Sequence, residues 1–191
     1  MNMLESYSEY QRLAKRTMRR DDREKLILHC TMGMVGEAGE LLQFSPDDTT
    51  KHEQRVGELG DMAWYVTNLL DTLGYHLDLA IPQMEQVHED SELDGLPSYY
   101  AMIWAAELCD EVKKGVFYGK VIPDSVIYNL ACCYLSSVID ECKRIEVPVL
   151  EVLSRNIAKL EARYPNLRFE SDKAINRDYE AESRKAGITI V

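Results

Sequence analysis

Apolar residues recur along this chain at three- and four-residue intervals, and no segment sustains the alternation of a half-buried strand. The pattern predicts a first helix over 4–20. Tyr7, Tyr10, Leu13 and Met18 offer its apolar contacts, and basic residues gather at its C-terminal end, where they oppose the helix dipole. Asp21 and Asp22 are candidate caps for a second helix running to about 44, with an apolar set of Leu26, Ile27, Cys30, Met34, Ala38, Leu41 and Leu42. Ser45-Pro46-Asp47-Asp48 ends it as a turn. A third helix over about 50–73 stops at Gly74, which suits a C′ position. A shorter one covers 77–88, with Pro82 near its first turn.

The rhythm then lapses. Residues 88–97 (HEDSELDGLP) are polar, acidic and closed by Gly95 and Pro97, which marks a linker between two halves. The second half repeats the first: a helix over 98–117, a turn over 118–123, a helix over 124–145, and another opened by Pro148 at N1 and running through 163. Tyr164-Pro165-Asn166 breaks it, and 171–185 reads as a short amphipathic helix before a loose tail.

The predicted class is all-α: packed helical hairpins in one domain over 1–191, with a first repeat at 1–88, a degenerate second repeat at 98–165 and a C-terminal extension at 171–191. Glu37-Ala38-Gly39-Glu40-Leu41 aligns with Glu107-Leu108-Cys109-Asp110-Glu111, and Leu59 and Trp64 align with Leu130 and Leu135 after a one-residue shift. If this duplication holds, one chain folds as a pseudo-dimer of helical hairpins.

Composition narrows the function. The chain has 191 residues, 46% of them hydrophobic and 29% charged, enough apolar side chains to bury a core. Its net charge of −11 repels a phosphate backbone, which argues against nucleic-acid polymers and anionic membranes as partners. Phosphate chemistry on such a chain calls for a metal. The N-terminus lacks the apolar region of a secretory signal, and no apolar run approaches the roughly 20 residues that span a bilayer. The five cysteines are odd in number and form no CxxC pair, so they read as reduced packing residues of a cytoplasmic protein.

Candidate chemistry lies in Glu37-x-x-Glu40 and Glu58-x-x-Asp61. Each pair is spaced i, i+3 on one helical face, and each face continues into apolar neighbours, Met34 and Leu41 in one case and Val56, Leu59 and Trp64 in the other. Carboxylates on the packed side of a helix are costly unless a positive charge meets them, and four together raise one another's pKa. An oxygen-only donor set suits Mg²⁺ or Mn²⁺. The glycines before each second carboxylate thin the helix surface and let a partner helix or ligand approach.

These motifs, separated by residues 41–57, resemble the ExxE…ExxD signature of the MazG-like, all-α nucleoside triphosphate pyrophosphohydrolases. Gly36 to Leu41, Glu58 to Tyr65 and Asn156 to Pro165 read like that family, and the resemblance spans residues 24–165. It implies cleavage of a nucleoside triphosphate between its α and β phosphates, giving a monophosphate and pyrophosphate. It also implies that Glu37, Glu40, Glu58 and Asp61 hold Mg²⁺, with Mn²⁺ as a substitute, and that Glu37 or Glu40 accepts the proton of the attacking water. Asn156 and Lys159 resemble the family's nucleotide-contacting pair, or else form a surface pair on a capped helix. Trp64 and Tyr65 either stack on a base or pack the core. Lys113, Lys114 and Lys120 form a basic cluster that either meets a triphosphate tail or is solvated.

The chain departs from the simple family pattern in two respects. The second half keeps Glu107 and Asp110 but carries Asn129 and Cys132 where Glu58 and Asp61 would recur. The Asn156/Lys159 segment, in turn, has no counterpart at 83–86. One working site per chain is therefore expected, composed from both halves, as in the fused dimeric dUTPases of the same superfamily, and a homodimer is compatible with it. Two readings compete with the nucleoside triphosphate hydrolase: a non-catalytic helical interaction protein on the same scaffold, and a hydrolase of an alarmone such as (p)ppGpp.

Overall fold

The first two long helices begin where a side chain satisfies one of their unpaired N–H groups, whereas the later long helices begin without a side-chain cap. The computed structural model describes residues 3–45, 48–81 and 96–188, and all regular structure among them is helical. The elements are α1 (Tyr7–Thr17), α2 (Arg23–Leu41), a 3₁₀ turn (Thr49–Lys51) leading into α3 (His52–Thr72), a helical stretch at 77–81, α4 (Pro97–Tyr118), α5 (Asp124–Arg144), α6 (Val149–Arg163), α7 (Ser171–Ile175) and α8 (Tyr179–Ala186). The remainder of the predicted 77–88 helix, and the linker as far as residue 95, lie outside the described residues.

The Ser6 hydroxyl caps α1 by accepting from the Glu9 N–H at 3.1 Å, and Asp22, one of the two predicted caps, accepts from the Lys25 N–H at 3.0 Å to start α2. Gly74 occupies the C′ position after α3 with φ 84°, where a side chain would be strained. Three boundaries differ from the periodic reading. α1 stops at Thr17 rather than 20, because Met18 turns extended (φ −78°, ψ 136°) to reverse the chain while its own side chain stays buried. Pro148 is the N-cap of α6, not N1, with ψ 136°. The predicted helix over 171–185 is two helices, broken at Asn176 (φ −101°, ψ 71°) and restarted where Asp178 accepts from the Ala181 N–H at 3.0 Å.

The architecture is a pair of helical hairpins, α2–α3 and α4–α5, packed on each other through α2 against α4 and α3 against α5. α6 crosses α3, α1 packs on both α3 and α6, and α8 covers α6. The core between them is one continuous cluster, with Tyr10, Met34, Leu41, Leu59, Met62, Leu69, Leu108, Tyr134 and Ile139 fully buried. All five cysteines are unpaired, and Cys30, Cys132 and Cys142 are buried in this packing, in keeping with their expected role. No helix among the described residues is long and apolar enough to cross a membrane.

One polar network crosses the core. Arg55 of α3 and Glu141 of α5 are 2% and 0% exposed, and their side chains are paired. Arg55 also donates to the carbonyls of Phe44 and Ser45 at 3.2 and 3.1 Å, and Arg144 donates to Glu141 through Nε at 3.0 Å. Burial by itself would raise the Glu141 pKa, but the hydrogen bonds from Arg144 and Arg55 outweigh it and hold the carboxyl below its usual range. One guanidinium thus joins the end of α2, the start of α3 and the end of α5. Glu141→Ala would leave Arg55 buried and uncompensated, so it is expected to lower the free energy of unfolding by about 3–5 kcal/mol in urea denaturation. A loss well under 1 kcal/mol would show that the pair is solvated.

Candidate functional site

The register of α2 on α3 is set by a close approach. A Cβ at Gly33 would overlap the Tyr65 ring, so only glycine lets the two helices meet there. In the antiparallel hairpin this register carries Glu37 and Glu40 to the same level as Glu58. Their carboxylate oxygens lie within 4.8 Å of one another, a separation a single divalent cation could bridge. Glu37 and Glu58 are half-buried, and Glu40 faces solvent.

The electrostatics follow from this crowding. Burial, then the charges of Asp61, Glu58 and Glu40, push Glu37 up to about 8. Burial, then Asp61, push Glu58 up to about 7, with Lys159 pulling the other way. Without a cation, burial and mutual repulsion favour the protonated form of both carboxyls.

Asp61, predicted as a fourth ligand, stands beside this trio but is already engaged by α6. It accepts from Asn156 Nδ2 at 3.0 Å and from the Lys159 ammonium. The Tyr10 hydroxyl donates to Asn156 Oδ1 at 2.9 Å, which fixes the amide so that its N–H groups point to Asp61. Gly60 makes this approach feasible, since a Cβ there would lie 2.9 Å from Asn156 Cβ. Burial disfavours the Lys159 charge, but the field and hydrogen bond of Asp61, with Glu58 behind it, more than offset this and raise its pKa. Asn156 and Lys159 therefore do not form a surface pair. They close the first-half acids from the far end of the chain.

The other candidates are placed as follows. Trp64 is half-buried, with its indole N–H bonded to Thr17 Oγ1 at 2.9 Å and its ring edge-on to Tyr65 at 4.8 Å between centroids. Glu107 and Asp110 are exposed on α4 and do not join the glutamates. Asp110 is pulled down to about 2 by hydrogen bonds from Lys113 and Lys114. Lys114 and Lys120 also bond Glu111, each at 2.7 Å, so this basic cluster is neutralised by acids of its own neighbourhood. Asn129 is exposed and Cys132 buried, and they form no cage with these acids.

Periodic reading missed two contributors. Tyr10 counted only as an apolar contact, since nothing local signals a bond to a residue so distant in sequence. The clamp behind α6 was also invisible: Glu182 of α8, 1% exposed, accepts from Arg163 at 2.9 and 2.6 Å and from Arg177 at 2.8 Å. No protein-family model, curated protein or solved structure matches this chain.

The raised carboxyls carry a stability signature. Between the ordinary value of 4.5 and about 8, the folded chain keeps a proton on Glu37 that the unfolded chain has lost, so stability falls as pH rises through that window. Metal-free protein in chelator is thus expected to melt at a lower temperature at pH 8.5 than at pH 5.5. Burial lowers the pKa of His29, which acts in the opposite sense, so the diagnostic is the comparison with Glu37→Gln. That variant should flatten the fall. Parallel profiles for the two proteins would mean that Glu37 is solvated.

Proposed function

We propose that this chain is a divalent-metal-dependent nucleotide pyrophosphohydrolase of the MazG-like type, acting in the cytoplasm. One observation carries the reading: Glu37, Glu40 and Glu58 converge within 4.8 Å beside an Asp61 held by Asn156 and Lys159. These are the residues that the sequence resemblance singles out, and they come from segments nearly a hundred residues apart.

The donor set fits a hard cation. It is all oxygen, it contains two carboxyls whose protons a metal would displace, and no arginine bonds any of the three glutamates among the described residues. Glu37, Glu40 and Glu58 would hold Mg²⁺ or Mn²⁺, with Asp61 available as it shifts from Lys159. When bound, the ion lowers the pKa of water and offsets phosphate charge. Glu37 or Glu40, whichever is less engaged, accepts the proton of the water that adds to the α-phosphorus as pyrophosphate leaves. Lys159 is placed to meet phosphate charge once it releases Asp61. Asn156, fixed by Tyr10, offers its amide to sugar or base, and Trp64 offers a half-buried ring edge beside the site. On the same reading, α2–α3 and α4–α5 are diverged copies of one hairpin, and the second copy keeps Glu107 and Asp110 but has Asn129 and Cys132 in place of the other two acids.

Three measurements test this. Pyrophosphate release from a panel of deoxynucleoside triphosphates should require Mg²⁺, and Glu58→Gln should abolish it with the helical circular dichroism unchanged. Glu107→Gln, on the solvated face of α4, should reduce turnover far less. Release from no nucleotide, (p)ppGpp included, would favour the non-catalytic scaffold. Excess Mg²⁺ should also raise the melting temperature by several degrees over chelator, the effect of roughly 1–2 kcal/mol of binding linkage. Superimposed melts would remove the metal from the reading.

A further inference from the structure

In a chain with 33 acidic and 22 basic side chains, one cavity inverts the balance. It has a volume of about 1160 Å³ and lies between the C-terminal end of α1, the start of α2, the last turns of α3 and the segment 168–171. Arg12, Lys15, Arg16, Arg19, Arg20 and Arg168 line it, against the two carboxylates of Asp21 and Asp71.

Local contacts use part of this charge. Lys15 pairs with Asp71 at 2.8 Å, Arg19 with Asp21 at 3.5 Å, and Arg12 with Glu9 at 3.8 Å. Arg20 and Arg168 take part in no ion pair or side-chain hydrogen bond among the described residues. The α1 dipole accounts for Lys15 and Arg16 at a helix C-terminus, but not for Arg168. That residue is carried in from beyond α6 by a built strap: Arg16 donates to the Asn166 carbonyl at 3.1 Å, and the Phe169 N–H donates to the Arg16 carbonyl at 3.1 Å. The strap thereby brings two segments remote in the chain together, and their exposed cationic side chains line one concavity, with Phe169 and Leu26 as its apolar walls.

The cavity is distinct from the glutamate site. Its α3 wall is Asn68, Asp71 and Thr72, seven to eleven residues beyond Asp61, which places it about 10–16 Å further along the helix axis. We propose that this basin is a second, metal-independent anion site that binds the phosphate chain of a small phosphorylated molecule. An excess of positive charge matches an oligophosphate, and arginine forks suit phosphate oxygens. The apolar walls leave room for a base or sugar attached to it. The proposal does not depend on the hydrolase reading.

The test is calorimetric titration of the full chain with inorganic pyrophosphate in chelator. Binding is expected without any divalent ion and should weaken with salt. The double variant Arg20→Gln/Arg168→Gln should bind about tenfold or more weakly, having lost two charge-assisted contacts, with an unchanged melting temperature. Glu58→Gln should bind as the wild type does. A nucleoside triphosphate that binds more tightly than pyrophosphate would assign the phosphate chain to a nucleotide, and equal affinities would assign it to free oligophosphate. Binding that appears only with Mg²⁺, that disappears in Glu58→Gln, or that survives intact in the double variant would overturn the proposal.

Discussion

Packing α2 on α3 with no side chain at Gly33 brings Glu37, Glu40 and Glu58 to one level, with Asp61 beside them, and that crowding of like charge is what the surrounding structure answers. The answer comes from α6, which lies close over Gly60 and presents Asn156 and Lys159 to Asp61. Tyr10 of α1 then holds Asn156 from the other side, and the Glu182 clamp from α8 holds Arg163 one turn beyond Lys159. A line of polar contacts thus joins α1, α3 and α6 through the interior, and each member is satisfied by the next. Such a line is costly unless complete, which is why the order of these helices around α3 is so constrained.

Two pairs of acids among the described residues show a contrast. Glu141 and Glu182, almost wholly buried, each meet two guanidinium groups and sit below their usual pKa despite burial. Glu37 and Glu58, only half-buried, meet no arginine and are pushed up to about 8 and about 7. Fully compensating a buried carboxylate is therefore within the fold's means, and it is withheld at one place. The absence of an arginine partner at three converging carboxylates supports the proposed cation there, in contrast to a solvated acid such as Asp110, which is neutralised by lysines on its own helix.

Charge is also segregated on a larger scale. Basic residues of α1 and Arg168 gather about one cavity, while the chain as a whole is strongly acidic. The strap through Asn166 and Phe169 ties the end of α6 back to α1 and so fixes that segregation as part of the fold.

Much of this was legible in the sequence alone. Spacing of apolar residues gave the long helices and their buried faces. Asp22 and Gly74 marked ends correctly, because caps are local chemistry. The i, i+3 carboxylates could be placed on one face of each helix for the same reason. What periodicity could not carry was everything that depends on how helices meet. That Trp64 anchors on Thr17, that Asp61 is held by α6 rather than closing the glutamate trio, that Tyr10 orients Asn156, that Glu141 finds Arg55 and that Arg168 returns to α1 are all contacts between segments remote in the chain. A helical pattern specifies which side of a helix is apolar through bonds spanning four residues. It does not specify which helix covers that side, at what level or in what register, and only packing decides which charges end up sharing a site.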